Sequence, residues 1–186
     1  MVKGAGLLVT FCPPKKDALR AKFRRLNIIL SGLLTAKEVI MALEELEKRI
    51  GVLEDIEAIK KLHRKYVFCL SCRAWDDLLD CFAEDATADI WKHGLRRGKK
   101  EVAELVYNVF DKLEKTPGHL VGQPVITVNG DRASGYWILY LFPHVPEGEP
   151  MIWMQGRHDC DYVKIDGEWK FSAVRFTRPW PPEEPE

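Results

Sequence analysis

Five histidines, five cysteines and five tyrosines, together with 28 carboxylates, supply the reactive side chains of this 186-residue chain. Their spacing removes several chemistries. Cys69 and Cys72 form a C-x-x-C, but inside a helical pattern. A redox pair usually follows a strand and opens a helix, where the dipole lowers the thiol pKa. Two small apolar residues one turn apart is the simpler reading. The run His158-Asp159-Cys160-Asp161 holds metal-ligand types, yet adjacent residues of a strand face opposite sides, so no metal site is expected. There is no phosphate loop, no G-x-G-x-x-G and no H-E-x-x-H. An imidazole suits proton transfer near neutral pH, and a phenol can donate to a substrate oxygen; His119, in "TPGHLVGQPVI", and Tyr66, in "HRKYVFCL", carry these groups. His158 shares alternation with Ile152, Met154, Cys160 and Tyr162, which would form one face of a strand; a satisfied sheet histidine is the plainer alternative. His63 falls on an apolar helix stripe and reads as core. His93 and His144 fall in loops and carry no signal.

The elements that must position these residues are legible from periodicity. Leu43, Leu46, Ile50 and Leu53 follow helical spacing, and Ile56, Ile59, Leu62, Tyr66 and Cys69 carry a stripe onward. Gly51 is expected to break or bend the helix between them. Residues 74–86 read as a second helix, with Trp75, Leu78, Leu79 and Phe82 in phase. Residues 99–114 read as a third, with Val102, Leu105, Val106, Val109, Phe110 and Leu113 on one face. After Pro117 the period becomes two. Strands are expected over 119–128, 132–142, 151–165 and 168–177, joined by "NGD", a loop and "DG". Pro124 places the first of them at an edge or a bulge. Asp76 and Asp77, in "WDDL", read as helix-capping residues.

Helices first and antiparallel strands second make an α+β pattern. A curved sheet wrapping the long helix would leave an apolar cavity with a few inward polar groups. The length suits one domain with a real core. No apolar run is long enough to span a bilayer. Residues 1–40 hold eight Lys/Arg and two Asp/Glu, a balance of +6, so with a net charge of zero the remainder carries −6. A mildly acidic body makes nucleic acid an unsuitable partner. An odd cysteine count without regular spacing argues against a disulfide framework and for a reducing, cytoplasmic setting. The basic stretch 1–40 reads as an extension to a domain over 41–178. The codons able to encode "KEVIM" (37–41) would place a ribosome-binding sequence before Met41, so translation from Met41 is an expectation. Residues 179–186 form a Pro-rich tail.

The stretches "LEDIEAIKKLHRKYVFCL…AWDDLLDCFAEDA", "GHLVGQPVITVNGDRASGYWIL" and "YVKIDGEWKF" resemble the SnoaL-like group of the nuclear-transport-factor-two-like superfamily, over Met41 to about Arg178. The resemblance implies a cone-shaped α+β barrel: three N-terminal helices packed into a strongly curved, mostly antiparallel sheet. Within that superfamily the shared stretches are most like bacterial bile acid 7α-dehydratase, with scytalone dehydratase-like lyases and hexachlorocyclohexane dehydrochlorinase more distant. Carried over residue by residue, this gives His119 as the catalytic histidine, Tyr66 as the pocket tyrosine and Arg178 as a pocket arginine holding an anionic or carbonyl oxygen. Arg175 takes that place if the register slips. Two acidic positions of the pattern are lost. The aspartate that pairs with the histidine is Ser71 here, able to orient an imidazole but not to stabilise its cation as a carboxylate does. The second falls on Leu141.

The implied function is a cofactor-free lyase (dehydratase) or isomerase acting on a hydrophobic, carbonyl-bearing substrate, steroid-like or polyketide-like. His119 would be the base, Tyr66 the donor and Arg178 the anchor. Ser71, His158, Trp91, Trp137 and Trp153 would shape the substrate site, with no metal and no cofactor. The alternatives are a non-catalytic small-molecule-binding or assembly protein of the same fold, and the small subunit of a ring-hydroxylating dioxygenase. A homodimer or homotrimer is expected, and neither nucleic acid nor membrane as partner.

Overall fold

The computed structural model describes residues 16–30, 35–113 and 117–178; residues 1–15 of the basic extension and the Pro-rich 179–186 lie outside them. The chain divides into two compact units, Met1–Lys48 and Arg49–Glu186. The first holds helix α1 (Lys16–Leu30) and the start of helix α2 (Ala36–Cys72). Thr35 and Glu38 open α2 as a capping box: the Thr35 amide donates to the Glu38 carboxylate at 2.5 Å, and the Glu38 amide donates back to Thr35 Oγ1 at 3.4 Å. Two orphan donors of the first turn are satisfied this way.

α2 runs unbroken through Gly51, where a break or bend was the expectation. One glycine in a helix interior costs about 1 kcal/mol, too little to end a helix whose later turns are buried. The two apolar stripes of α2 have different fates. Leu43, Leu46, Ile50 and Leu53 are exposed, whereas Ile59, His63, Tyr66, Val67 and Cys69 are buried against the sheet. No helix among the described residues is long and apolar enough to cross a membrane.

Helix α3 (Trp75–Leu79) is shorter than the expected 74–86, because strand β1 begins at Phe82 and runs to Ile90. Its sequence, FAEDATADI, is rich in residues disfavoured in strands. Pairing overrides that preference: β1 lies parallel to β6 and antiparallel to a short β2 (Leu95–Arg97). Asp76 and Asp77 do not cap α3. The cap residue is Ala74 without a side-chain bond, Asp76 accepts from the Tyr107 hydroxyl at 2.6 Å, and Asp77 pairs with Lys65 at 3.8 Å. Helix α4 (Gly98–Leu105) passes into a π-helical turn over Val106–Phe110, so the third helix is shorter and wider than its apolar face suggests. The wide turn leads to Asp111, which accepts from Trp75 Nε1 at 2.7 Å and ties α3 to it.

Four long strands follow: β3 (Gly118–Asn129), β4 (Arg132–Phe142), β5 (Met154–Ile165) and β6 (Glu168–Thr177). They agree with the alternation, apart from a later start of β5. The sheet order is β2-β1-β6-β5-β4-β3. It is mixed, because the β1–β6 pair is parallel, and open, because β2 and β3 remain edges. The core lies between its inner face and the last turns of α2, with α3 and α4 closing the side. Cys69, Cys72, Cys81 and Cys160 are free thiols. Burial, followed by the neighbouring Cys72, raises the Cys69 thiol, the reverse of an activated redox cysteine.

Candidate active site

His119 reaches the inner face through a defect in its strand. Between Gly122 and Val125, β3 places two residues, Gln123 and Pro124, opposite one of β4, Trp137. Gln123 sits there at φ 52°, next to Pro124. This is a β-bulge on an edge strand, where a proline forfeits no ladder bond. Because side chains alternate with period two, one extra residue reverses the facing of everything beyond it. Ile126 and Val128 pack inward after the bulge, and Val121 does so before it. His119 shares the phase of Val121 and therefore faces inward too.

Its ring is fixed by one contact. Ser71 Oγ lies 3.1 Å from His119 Nδ1 and 3.1 Å from the Val67 carbonyl. A hydroxyl has one proton, and a carbonyl can only accept, so Ser71 donates to Val67 and accepts from Nδ1–H. Nε2 is then the bare nitrogen, the one a base requires. Burial brings the His119 pKa down to about 4. The ring is neutral at pH 7 and is a weak base. The group bonded to Nδ1 is the Ser71 hydroxyl rather than a carboxylate that would raise the pKa, and the cross-strand partner of His119 is Leu141.

His119 lines a cavity of about 650 Å³, within the range of about 300–1,000 Å³ usual for small-molecule sites. Leu70, Trp75, Phe110, Leu139, Leu141, Met154 and Phe176 make its wall largely apolar. Tyr66 lines it from α2, with a buried ring and a hydroxyl that makes no hydrogen bond among the described residues. Burial, with smaller contributions from Cys160 and Cys81, raises its phenol pKa above the ordinary tyrosine value, so the group stays a donor. Arg178, after β6, stands with its guanidinium carbon 3.5 Å from the centroid of the Trp91 ring, and Nη1 lies 2.9 Å from Met154 Sδ. A stacked arginine on an apolar wall is held by its face and keeps donors on its edge. Trp91 itself has φ 45° at the end of β1, a strained position for a non-glycine residue, and that turn sets its ring beneath Arg178.

His158 also lines the cavity, on β5, and is buried. His119, Tyr66, Arg178, His158 and Trp91 therefore meet around one space, with Ser71 behind His119. Trp137 and Trp153 do not. Trp137 is in the core, stacked 4.2 Å from His63, because it shares the inward phase of β4 with the buried Ala133 and Leu139. Trp153 precedes β5 and packs 5.6 Å from Tyr140, over half exposed. Arg175, on the opposite phase of β6, faces outward to Asp89 at 3.8 Å. His93 and His144, without signal in the sequence, lie on the cavity wall. Phe176 and Met154 were legible only as alternating apolar residues. Among the described residues, no three metal-ligating side chains gather.

Solved structures share this architecture. Hexachlorocyclohexane dehydrochlorinase LinA-type3 from Novosphingobium barchaimii is 22% identical, with 69% of this chain and 89% of that one covered and a TM-score of 0.61. A scytalone dehydratase-like protein from Novosphingobium aromaticivorans is 18% identical, covering 67% and 83%, with a TM-score of 0.59. A protein of unknown function from Mycobacterium tuberculosis is 20% identical, covering 68% and 73%, at 0.60. At these identities the likeness concerns the fold. The sequence itself matches the model of the SnoaL-like domain over residues 51–175. That match covers most of the chain, and it joins the α2 tyrosine to the β3 histidine and to nearly all of the sheet; the chain belongs to the SnoaL-like domain family.

Proposed function

We propose that the protein is a cofactor-free carbon–oxygen lyase, a dehydratase, acting on a hydrophobic β-hydroxy carbonyl compound of steroid-like or polyketide-like size. The observation that carries this reading is His119 on the wall of an apolar cavity with its Nδ1–H tied to the Ser71–Val67 pair, which leaves Nε2 bare. Isomerisation of a β,γ-unsaturated ketone would use the same parts. Neighbours in fold named as a dehydrochlorinase and as scytalone dehydratase-like support an elimination.

The steps follow from the groups. His119 Nε2 removes a proton from the carbon next to the carbonyl or, in a 3-oxo-4-ene, from the γ-carbon conjugated to it through the double bond. The C–H electron pair passes to the carbonyl oxygen, and Tyr66 O–H stabilises the enolate. When the carbonyl re-forms, the carbon–oxygen bond at the carbon beside the deprotonated one breaks and the leaving hydroxide takes the proton held by His119. Water and an enone result, and the imidazole returns to neutral. Arg178 would hold a carboxylate or second carbonyl at the mouth. A base with a pKa near 4 calls for an acidified C–H, which a 3-oxo-4-ene system or a thioester provides.

A second reading, a non-catalytic binding protein, is favoured by Ser71 and Leu141 at the two acidic positions. The test is turnover. Full-length protein is offered 7-hydroxy-3-oxo-4-ene steroid acids and thioesters and smaller β-hydroxy ketones, and the near-ultraviolet rise of the conjugated product is followed. Turnover lost in His119→Ala supports the lyase. Silence across the panel by folded protein that still binds the compounds favours the binder.

A further inference from the structure

Three buried polar side chains have no part in the steps above. His63, Tyr162 and Trp137 are 0%, 1% and 3% exposed, and they are bonded end to end. Trp137 Nε1 is 2.9 Å from the Tyr162 hydroxyl. That hydroxyl is 3.0 Å from His63 Nδ1. His63 Nε2 is 3.1 Å from His158 Nδ1. Their elements are far apart in sequence, and only the fold of α2 onto β4 and β5 joins them.

The chain has a direction. An indole N–H only donates, so the Tyr162 oxygen accepts at that end. The hydroxyl holds one proton, and its remaining neighbours are His63 Nδ1 and the Cys160 side chain. Sulfur is a weak acceptor and an imidazole nitrogen a good one, so the proton points to Nδ1. His63 is kept neutral by burial and therefore carries its own proton on Nε2, which it donates to His158 Nδ1. His158, neutral for the same reason, carries its proton on Nε2. That nitrogen makes no hydrogen bond among the described residues, and its ring lines the cavity.

We propose that the chain Trp137–Tyr162–His63–His158 is a positioning device that holds His158 as an Nε2–H donor facing the cavity, where it hydrogen-bonds the substrate's carbonyl oxygen as that oxygen gains charge. Two neutral imidazoles then serve one cavity in opposite tautomers. His119 presents a bare nitrogen at the rim, and His158 presents an N–H at the floor. A neutral imidazole donor can stabilise an enolate oxygen without protonating the base that formed it. The carbonyl of the substrate would lie deepest, and its acidic C–H nearer the β3 edge. The tautomer assignment stands on the hydrogen bonds between these rings and on the burial that keeps both neutral; its role on a carbonyl rests on the lyase reading.

Long-range proton–nitrogen correlation spectra of the full-length protein, labelled in histidine and recorded at neutral pH, read each tautomer directly. Protonated Nε2 and bare Nδ1 on His158 and His63, with the reverse on His119, are expected. Tyr162→Phe removes the proton that fixes His63, so His63 and His158 should lose their single-tautomer signature while His119 keeps its own. A bare His158 Nε2 in the wild-type spectrum overturns the proposal, as does a Tyr162→Phe spectrum in which both rings are unchanged. Should the variant not fold, the wild-type spectrum decides. Absence of turnover on every carbonyl substrate sinks the lyase reading and leaves the tautomer result standing.

Discussion

His119 and His158 line the same cavity and are both kept neutral, yet the fold holds them in different ways. His119 sits on an edge strand, half-buried, with one side-chain bond to a serine. His158 sits on an inner strand, almost fully buried, at the end of a four-residue chain. Burial takes the first to about 4, and burial with a smaller effect from His119 takes the second to about 3. A ring at the rim can accept a proton because it is only half-buried and its Nδ1–H is bonded to a hydroxyl, which leaves Nε2 bare. A ring sealed among aromatics, with its second nitrogen occupied, cannot change state without disturbing the chain behind it. The difference separates a group suited to move a proton from one suited to hold still.

The largest effect that would break this comparison is loss of the rim ring. His119→Ala should lower kcat/KM by about 10²–10⁴-fold, the usual worth of a general base, with the fold intact by circular dichroism. Deleting Gln123 should do nearly the same by another route. Without the bulge residue the pairing of β3 runs in one phase, and His119 moves to the outer face while Ile126 and Val128 stay inside. Equal losses in the two variants would tie activity to the bulge. A deletion variant as active as wild type would mean that His119 is not the base.

The floor ring should reveal itself in stability against acid. His63 and His158 have pKa values lowered by burial, and each also feels a neighbouring histidine. The unfolded chain therefore binds more protons than the folded one once the pH falls below about 6.5. Stability should be flat above that value and fall as pH drops towards the folded values. Two such rings give a slope of up to about 2.7 kcal/mol per pH unit. Urea midpoints between pH 7 and pH 4 measure it, and His158→Gln should make the slope shallower. An unchanged slope would mean that His158 is already charged or not buried.

How far each half of this site could be read beforehand follows from where its contacts lie. β4 and β5 alternate, β6 does so on either side of one extra residue at Ser172, and the inward face of α2 keeps its helical spacing, so the sheet and the tyrosine were legible. Pro124 marked the bulge but not which residues it turned inward. β1 was hidden, because Ala and Asp fill it and its stability comes from pairing with a strand some 90 residues later. His63 read as core, and it is core. What the sequence does not carry is that its partners lie 95 and 99 residues away, for no local pattern brings Tyr162 and His158 to the same ring.

Packing at the floor offers a smaller, sharper test. Gly156, opposite Leu139 on β4, lets Phe176 lie flat against β5. A Cβ at that position would stand 2.6 Å from Phe176 Cζ and 3.0 Å from the Thr177 carbonyl. Gly156→Ala must push the ring away, and since Phe176 lies 5.2 Å from His158 and on the cavity wall, it moves into the substrate space. Overpacking of this kind costs about 1–3 kcal/mol. Thermal melting should show that loss, and KM should rise more than kcat falls. A variant with unchanged melting would show that Phe176 has room elsewhere.

The smallest effect separates the two ways of holding a ring. Ser71→Ala removes one hydrogen bond from His119, worth about 0.5–1.5 kcal/mol, and frees Nδ1 to exchange its proton with Nε2. Activity should fall by roughly threefold to tenfold by that arithmetic. Ser71→Asp should act the other way. A carboxylate at hydrogen-bond distance from the ring raises a histidine's pKa by favouring its cation, so the base becomes stronger and the acid limb of the pH–rate profile moves up from about pH 4. Faster turnover of a less acidified substrate would follow, such as a simple β-hydroxy ketone compared with a thioester. The limb reports the free enzyme's base when kcat/KM is plotted. If it stays in place in Ser71→Asp, the limb belongs to another group, and the serine is a packing residue beside a histidine whose tautomer it does not set.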